Sequence, residues 1–257
     1  MSIWGKILIG SAGFALGGPI GAILGSIVGH GVDKVRDREK SIANSMNEID
    51  LQTIFATGVI ALSAKIAKAD GQVTKDEIEK FNEIFEFSSD DYEAVKIIYN
   101  EAKESVFDFE KYAIQLARLF KNENEMLVQL LDSLYLIAIA DGKLHPNEEK
   151  MIADISTIFN IDTVTLESIK SSHKFGKGGF KGEESFKNLE HAYKVLGCSI
   201  SDTNDQIKNK YRKLAKSFHP DYLVGKGLPE ELVDLANDKL AKINAAYDVV
   251  SNAKGIK

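Results

Sequence analysis

Cysteine is nearly absent from this chain: Cys198 is the only one in 257 residues. A single thiol excludes an internal disulfide framework and any zinc module built on several cysteines. It also fits folded domains in a reducing compartment. There are only four prolines, and runs with the two-residue period of a strand are hard to find, so the expected fold is all-α. Histidine is scarce too. His30, His145, His173, His191 and His219 are scattered without ligand spacing. Neither a nucleophile elbow nor a phosphate-cradling glycine loop occurs. These absences argue against an enzyme and against a resident cofactor.

Charge is present but unevenly placed. The net charge is -6 over the whole chain, yet residues 48–172 alone carry -12 and residues 186–257 carry +3. An acidic middle and a mildly basic end imply separate domains with different partners. The acidic part would repel phosphate, so nucleic acid is not an expected ligand.

The longest uncharged stretch is Ile7 to Gly29, 23 residues. As a helix it would extend about 34 Å, enough for a hydrocarbon core of about 30 Å. It is read as a transmembrane span within residues 1–33, followed by a juxtamembrane segment, 34–47. A signal peptide and an interfacial hairpin are the competing readings, the second because Gly18-Pro19 sits mid-run. Gly13, Gly17, Gly21, Gly25 and Gly29 recur every four residues, which on one helix forms a face without side chains. That stripe predicts a homodimer through the span. Lys34, Arg36, Arg38 and Lys40 follow the run and only Lys6 precedes it, which predicts an outside N-terminus and cytoplasmic C-terminal domains.

The acidic middle contains a repeat. Ala69-Asp70-Gly71 and Glu77 recur 71 residues later as Ala140-Asp141-Gly142 and Glu148. Apolar residues at helical spacing precede both copies, so each reads as helix, turn, helix. Gly71 and Gly142 suit the position just past a helix C-terminus. Thr74 with Glu77 forms a capping box, and Pro146 fits the first turn of the next helix, with Glu148 at N3. Three roles remain open for Asp70, Glu77, Asp141 and Glu148. They terminate and cap helices, they converge into an oxygen-ligand site for Ca²⁺, Mg²⁺ or Mn²⁺, or they dock a basic partner. The spacing is not that of an EF-hand. On these Ala-Asp-Gly hairpins residues 48–172 resemble the TerB-like tellurite-resistance domains, which implies an all-α bundle and no reaction. The second copy departs in having His145-Pro146 where the first has Thr74-Lys75.

Residues 173–185 hold glycine, lysine and serine in a composition unable to bury a core, and read as a flexible linker. Phe175 and Phe180 are its candidate client contacts. Beyond it three helices are expected. A short one covers 188–196 and ends at Gly197. A second is capped by Thr203 and Gln206 and carries the stripe Ile207, Tyr211, Leu214, Phe218. A third starts near Glu230, with Leu232, Leu235, Ala236, Ile243, Tyr247 and Val250 on one face. Pro220 lacks an N–H and disfavours helix at His219, so the second helix stops there.

The run from Thr203 to Leu214, then His219-Pro220-Asp221, then 243–250, closely resembles the J-domain of the DnaJ (Hsp40) family over residues 186–257. The resemblance implies contact with the ATPase domain and linker of an Hsp70 and faster ATP hydrolysis there. Its site residues would be His219, Pro220 and Asp221, with Lys208, Arg212, Lys213 and Lys216 as electrostatic contacts. Tyr222 departs from the lysine common after this tripeptide. The order of segments resembles membrane-anchored DnaJ-like co-chaperones, which implies a DnaK-like Hsp70 as partner at a bacterial inner membrane. The runner-up is a metal-binding or stress-sensing membrane module centred on the carboxylates.

Overall fold

The structure, a computed structural model, describes residues 17–25, 51–69, 92–103, 108–140, 142–175, 185–229 and 232–256. All regular structure among the described residues is helical. A short helix, α1 (18–25), is followed by α2 (Leu51–Ala67), α3 (Tyr92–Lys103), α4 (Phe109–Leu119), α5 (Asn124–Ala138), α6 (Pro146–Ile158) and α7 (Thr163–Phe175). The C-terminal helices are α8 (Ser185–Val195), α9 (Asn204–Ser217), α10 (Pro220–Val224) and α11 (Val233–Lys254).

Helix α2 is the axis of the acidic bundle. Every residue from Thr53 to Ala67 is buried, as expected of a helix that is apolar all round and surrounded by others. It packs against α3, α4, α5 and α6. Phe55 meets Phe120 edge to face at 6.0 Å, a favoured aromatic geometry. Lys65 is buried at the end of α2, where its ammonium bonds Asp108 at 2.6 Å and the Ala102 carbonyl at 2.9 Å and lies over the Tyr112 ring. One charge therefore ties α2 to both α3 and the start of α4.

The apolar N-terminal run differs from the expected single helix. Gly17 and Gly18 have φ of +59° and +66°, in the left-handed region that helices do not continue through. Pro19 then opens α1, where its missing N–H is no loss. Ile20, Ile23 and Leu24 bury in the same core as the acidic bundle. The Gln115 side chain accepts from the Ile20 N–H at 3.0 Å and donates to the Gly17 carbonyl at 2.8 Å. Gly17 thus lies outside the helix that holds Gly21 and Gly25, so the five-glycine face is interrupted at Gly17–Gly18. Gly13 and Gly29 lie outside the described residues. Among the described residues no helix is long and apolar enough to cross a membrane.

The C-terminal helices form a hairpin, α9 against α11, with α8 packed on α11 and α10 at the tip. Tyr211 and Tyr247 stack across the hairpin at 4.0 Å, and the Tyr211 hydroxyl donates to Asn244 Oδ1. The expected capping box at Thr203 forms: its Oγ1 accepts from the Gln206 N–H at 3.3 Å, and Gln206 Oε1 accepts from the Thr203 N–H at 2.8 Å.

Helix α7 belongs to the acidic bundle yet packs against α8 and α11 as well as α5. It runs through His173 to Phe175, three residues into the segment read as a linker. Ser171, Ser172 and His173 are buried. The two helical units therefore share a packed face.

Candidate functional site: the tripeptide loop and the domain interface

The His219-Pro220-Asp221 tripeptide sits where α9 ends and α10 begins. Phe218 closes α9, its N–H reaching the Leu214 carbonyl at 3.1 Å, and is itself fully buried. His219 then turns extended, with φ of -73° and ψ of 120°. Its backbone is held on both sides: its N–H donates to Lys216 O at 3.3 Å, and its carbonyl accepts from the Leu223 N–H at 3.0 Å. Pro220 does two jobs. It stops α9, and it occupies the first position of α10, where φ is already set for a helix. The sequence suggested only a rigid loop, so the short helix Pro220–Val224 is an addition. Proline at a first helical turn was the signal available for it.

The side chains of His219 and Asp221 are exposed, as are Arg212, Lys213 and Lys216, while Pro220 and Lys208 are half-buried. The backbone is thus fixed while a tripeptide and a basic helix face remain open to a partner. Tyr222 is flanked by the ammonium groups of Lys216 and Lys226, at 5.3 and 5.6 Å from its ring centre. Such contacts favour a cation over an aromatic face, so the tyrosine gathers positive charge beside the tripeptide.

Behind the loop lies a buried charge cluster that the sequence reading missed. Asp132 on α5 is fully buried, and its Oδ1 accepts from Lys239 Nζ on α11 at 2.6 Å and from His173 Nε2 on α7 at 2.9 Å. Lys239 also bonds the Ser172 hydroxyl, and its ammonium lies 5.2 Å from the centre of the Phe218 ring. One lysine thus links the acidic bundle to the residue just before His219. Burial raises the Asp132 carboxyl, but the neighbouring lysine and histidine outweigh it and hold it well below the usual carboxylate range. Burial lowers both His173 and Lys239, and the Asp132 carboxylate only partly opposes this.

A pH dependence follows from His173. The folded protein keeps the imidazole neutral below its ordinary pKa of 6.5, whereas the unfolded chain takes up a proton there. Stability contributed by this group is present above about pH 6.5 and lost as the pH falls through that value, by at most about 1.4 kcal/mol per unit. The depressed Asp132 adds its own loss only below about pH 4, where an unfolded aspartate protonates. Urea unfolding at pH 7.5 and 5.5 should show the parent losing stability with acid and His173→Gln losing less. Equal losses would assign the dependence elsewhere.

The same interface carries further bonds. His191 Nε2 donates to the Ser171 carbonyl at 2.8 Å, and the Ser168 hydroxyl bonds the Val195 carbonyl. Lys226, just past α10, pairs with Glu123 at 3.0 Å, and Gln52 donates to the Leu228 carbonyl at 3.3 Å. A cleft of about 490 Å³ opens between the units, lined by Asn124, Asp162 and Ser168 on one side and by Lys210, Lys213 and Ser217 on the other. Burial raises Asp162, but the Thr165 N–H and hydroxyl, with the Lys213 charge, bring it below the ordinary carboxylate value. Cys198 is half-buried, and burial pushes its thiol up to about 11, which favours the protonated form at neutral pH.

Of the carboxylates considered for a metal, Asp70, Glu77 and Asp141 lie outside the described residues. Glu148 is buried, and its Oε2 accepts from the His145 N–H at 3.0 Å, the capping role expected of it. Asn147, in the first turn of α6, donates from Nδ2 to the Ala69 carbonyl at 3.1 Å, which ties α6 to the end of α2. Gly142 has φ of +88°, but α5 already ends at Ala138 with Ile139 as its cap, so Gly142 lies in the following turn and not at the position expected of it. Among the described residues no group of three or more potential ligands could hold a metal.

An exposed histidine-proline-aspartate turn, at the tip of a helical hairpin with a basic first arm, defines a J-domain. Comparison agrees: residues 190–257 match the DnaJ domain, 56–171 match tellurite resistance protein TerB, and 1–40 match the co-chaperone DjlA transmembrane domain. The chain is 32% identical to the co-chaperone protein DjlA of Photobacterium profundum, with 99% of this chain and all of the relative covered. It is 31% identical to that of Yersinia pseudotuberculosis and 29% to that of Salmonella typhimurium, with both chains of each pair fully covered. No solved structure matches the chain. The chain belongs to the DjlA co-chaperone family.

Proposed function

We propose that this protein stimulates ATP hydrolysis by a DnaK-like Hsp70 through His219, Pro220 and Asp221, and that it does so at the cytoplasmic face of a bacterial inner membrane. The observation that carries the reading is the tripeptide itself: its backbone is fixed by bonds to Lys216 and Leu223, while the imidazole and carboxylate stay exposed. Rigid exposed turns beside a patch of one sign suit recognition of another protein. Lys208, Arg212, Lys213 and Lys216 supply that patch and would steer an acidic surface of the Hsp70. The match of residues 1–40 to a transmembrane domain supports the membrane location, and the cations at 34–40 support the orientation. The protein acts on a partner ATPase and performs no chemistry of its own.

The test is single-turnover ATP hydrolysis by a bacterial Hsp70 with increasing amounts of the intact chain. The rate should rise to a plateau, and added salt should shift the curve to higher concentration, as for any association steered by charge. A flat response would overturn the proposal.

A further inference from the structure

The two helical units meet through a face that is unusual for a permanent core. Asp132 and Lys239 are fully buried and lie on different units. The second carboxylate oxygen of Asp132 has no hydrogen-bond partner, and one turn earlier neither polar atom of the buried Gln129 amide has one. Buried ion pairs add less stability than apolar packing of the same volume would, and their best-attested use is to fix which surfaces meet. Around them α7 packs on α8 and α11, with His191 bonded to Ser171 and Ser168 to Val195, and nearer the tripeptide Lys226 pairs with Glu123 and Gln52 with Leu228. The buried pair thus specifies which faces meet.

Of the four cations assigned to Hsp70, one, Lys213, faces the interface. Lys213 lines the cleft opposite Asp162, and Lys226, which flanks Tyr222 beside the tripeptide, is paired with Glu123. The acidic bundle therefore offers carboxylates to the basic side of the J-domain.

We propose that the TerB-like bundle is a docking partner for the J-domain of the same chain, with Asp132 as the receptor for Lys239, and that docking competes with Hsp70 for the Lys213 edge of the basic face. The competition rests on the function proposed above; the docking does not. If only the undocked fraction engages Hsp70 fully, apparent affinity is reduced by that fraction. Whatever draws the bundle away from the J-domain then raises activation without touching His219–Asp221.

The experiment uses the full chain in a Cys198→Ser background, with Glu123→Cys and Lys226→Cys as reporters for a short bis-maleimide. The parent should crosslink within one chain. Lys239→Met leaves Asp132 without its ammonium and should slow crosslinking about tenfold. Adding Asp132→Leu removes the orphaned charge and should restore crosslinking, which a general loss of folding would not. In hydrolysis assays without the reporters, Lys239→Met should lower the half-maximal concentration several-fold. Unchanged crosslinking in Lys239→Met overturns the docking, and crosslinks between chains overturn its assignment to one chain. An unchanged half-maximal concentration despite lost docking overturns the competition. Absent stimulation in every variant, with crosslinking as expected, overturns the Hsp70 function and supports docking alone.

Discussion

With His219 replaced by glutamine, the intact chain is expected to leave Hsp70 hydrolysis at its unstimulated rate. The loss of stimulation should be at least about tenfold, equivalent to about 1.4 kcal/mol of activation free energy. The structure separates this effect from folding. What fixes residue 219 is its backbone, through Lys216 and Leu223, and glutamine retains both of those groups. The imidazole itself is exposed, and exposed substitutions away from packing usually change stability by no more than about 0.5 kcal/mol. Full loss of stimulation with an unchanged unfolding transition is therefore the expected pair of results. Retained stimulation would mean that the turn is a helix stop alone.

The second large effect lies far from the tripeptide. Asp132→Ala leaves the Lys239 ammonium fully buried with the Ser172 hydroxyl and the Phe218 ring but no counter-charge. Removing one member of a buried pair typically costs about 3–5 kcal/mol. His173 loses its carboxylate as well. Urea unfolding followed by helical circular dichroism should show a loss of that size, divided between the two units if they unfold separately. A loss below about 1 kcal/mol would show that water already reaches the pair.

The J-domain was legible because its signals are local. Thr203 and Gln206 sit three apart, Pro220 terminates a helix, and the stripe from Ile207 to Phe218 follows one helical period. In the second copy of the repeat the capping role of Glu148 was legible for the same reason. The domain interface was not, since Asp132 and Lys239 are 107 positions apart and nothing in a periodic pattern pairs them. A signal existed nonetheless. Lys239 falls on the apolar stripe between Ala236 and Ile243, and Asp132 lies in a helix where every residue from Met126 to Tyr135 is buried. A charge on an apolar stripe asks for a partner, and only tertiary contact supplies one. The end of α7 from His173 was assigned to a linker from the glycines and lysines that follow, but His173 is buried against Asp132 and Tyr135. At the N-terminus, composition suggested one helix through Gly17 and Gly18, whereas both adopt left-handed backbone.

The central claim is that this chain brings an Hsp70 to a membrane through one turn of its J-domain. Flotation of lipid vesicles carrying the full chain, mixed with a bacterial Hsp70 and ATP, tests it directly. The Hsp70 should float with vesicles bearing the parent chain and remain in the dense fraction with those bearing His219→Gln. Hsp70 remaining in the dense fraction with both, or floating equally with both, would contradict the account.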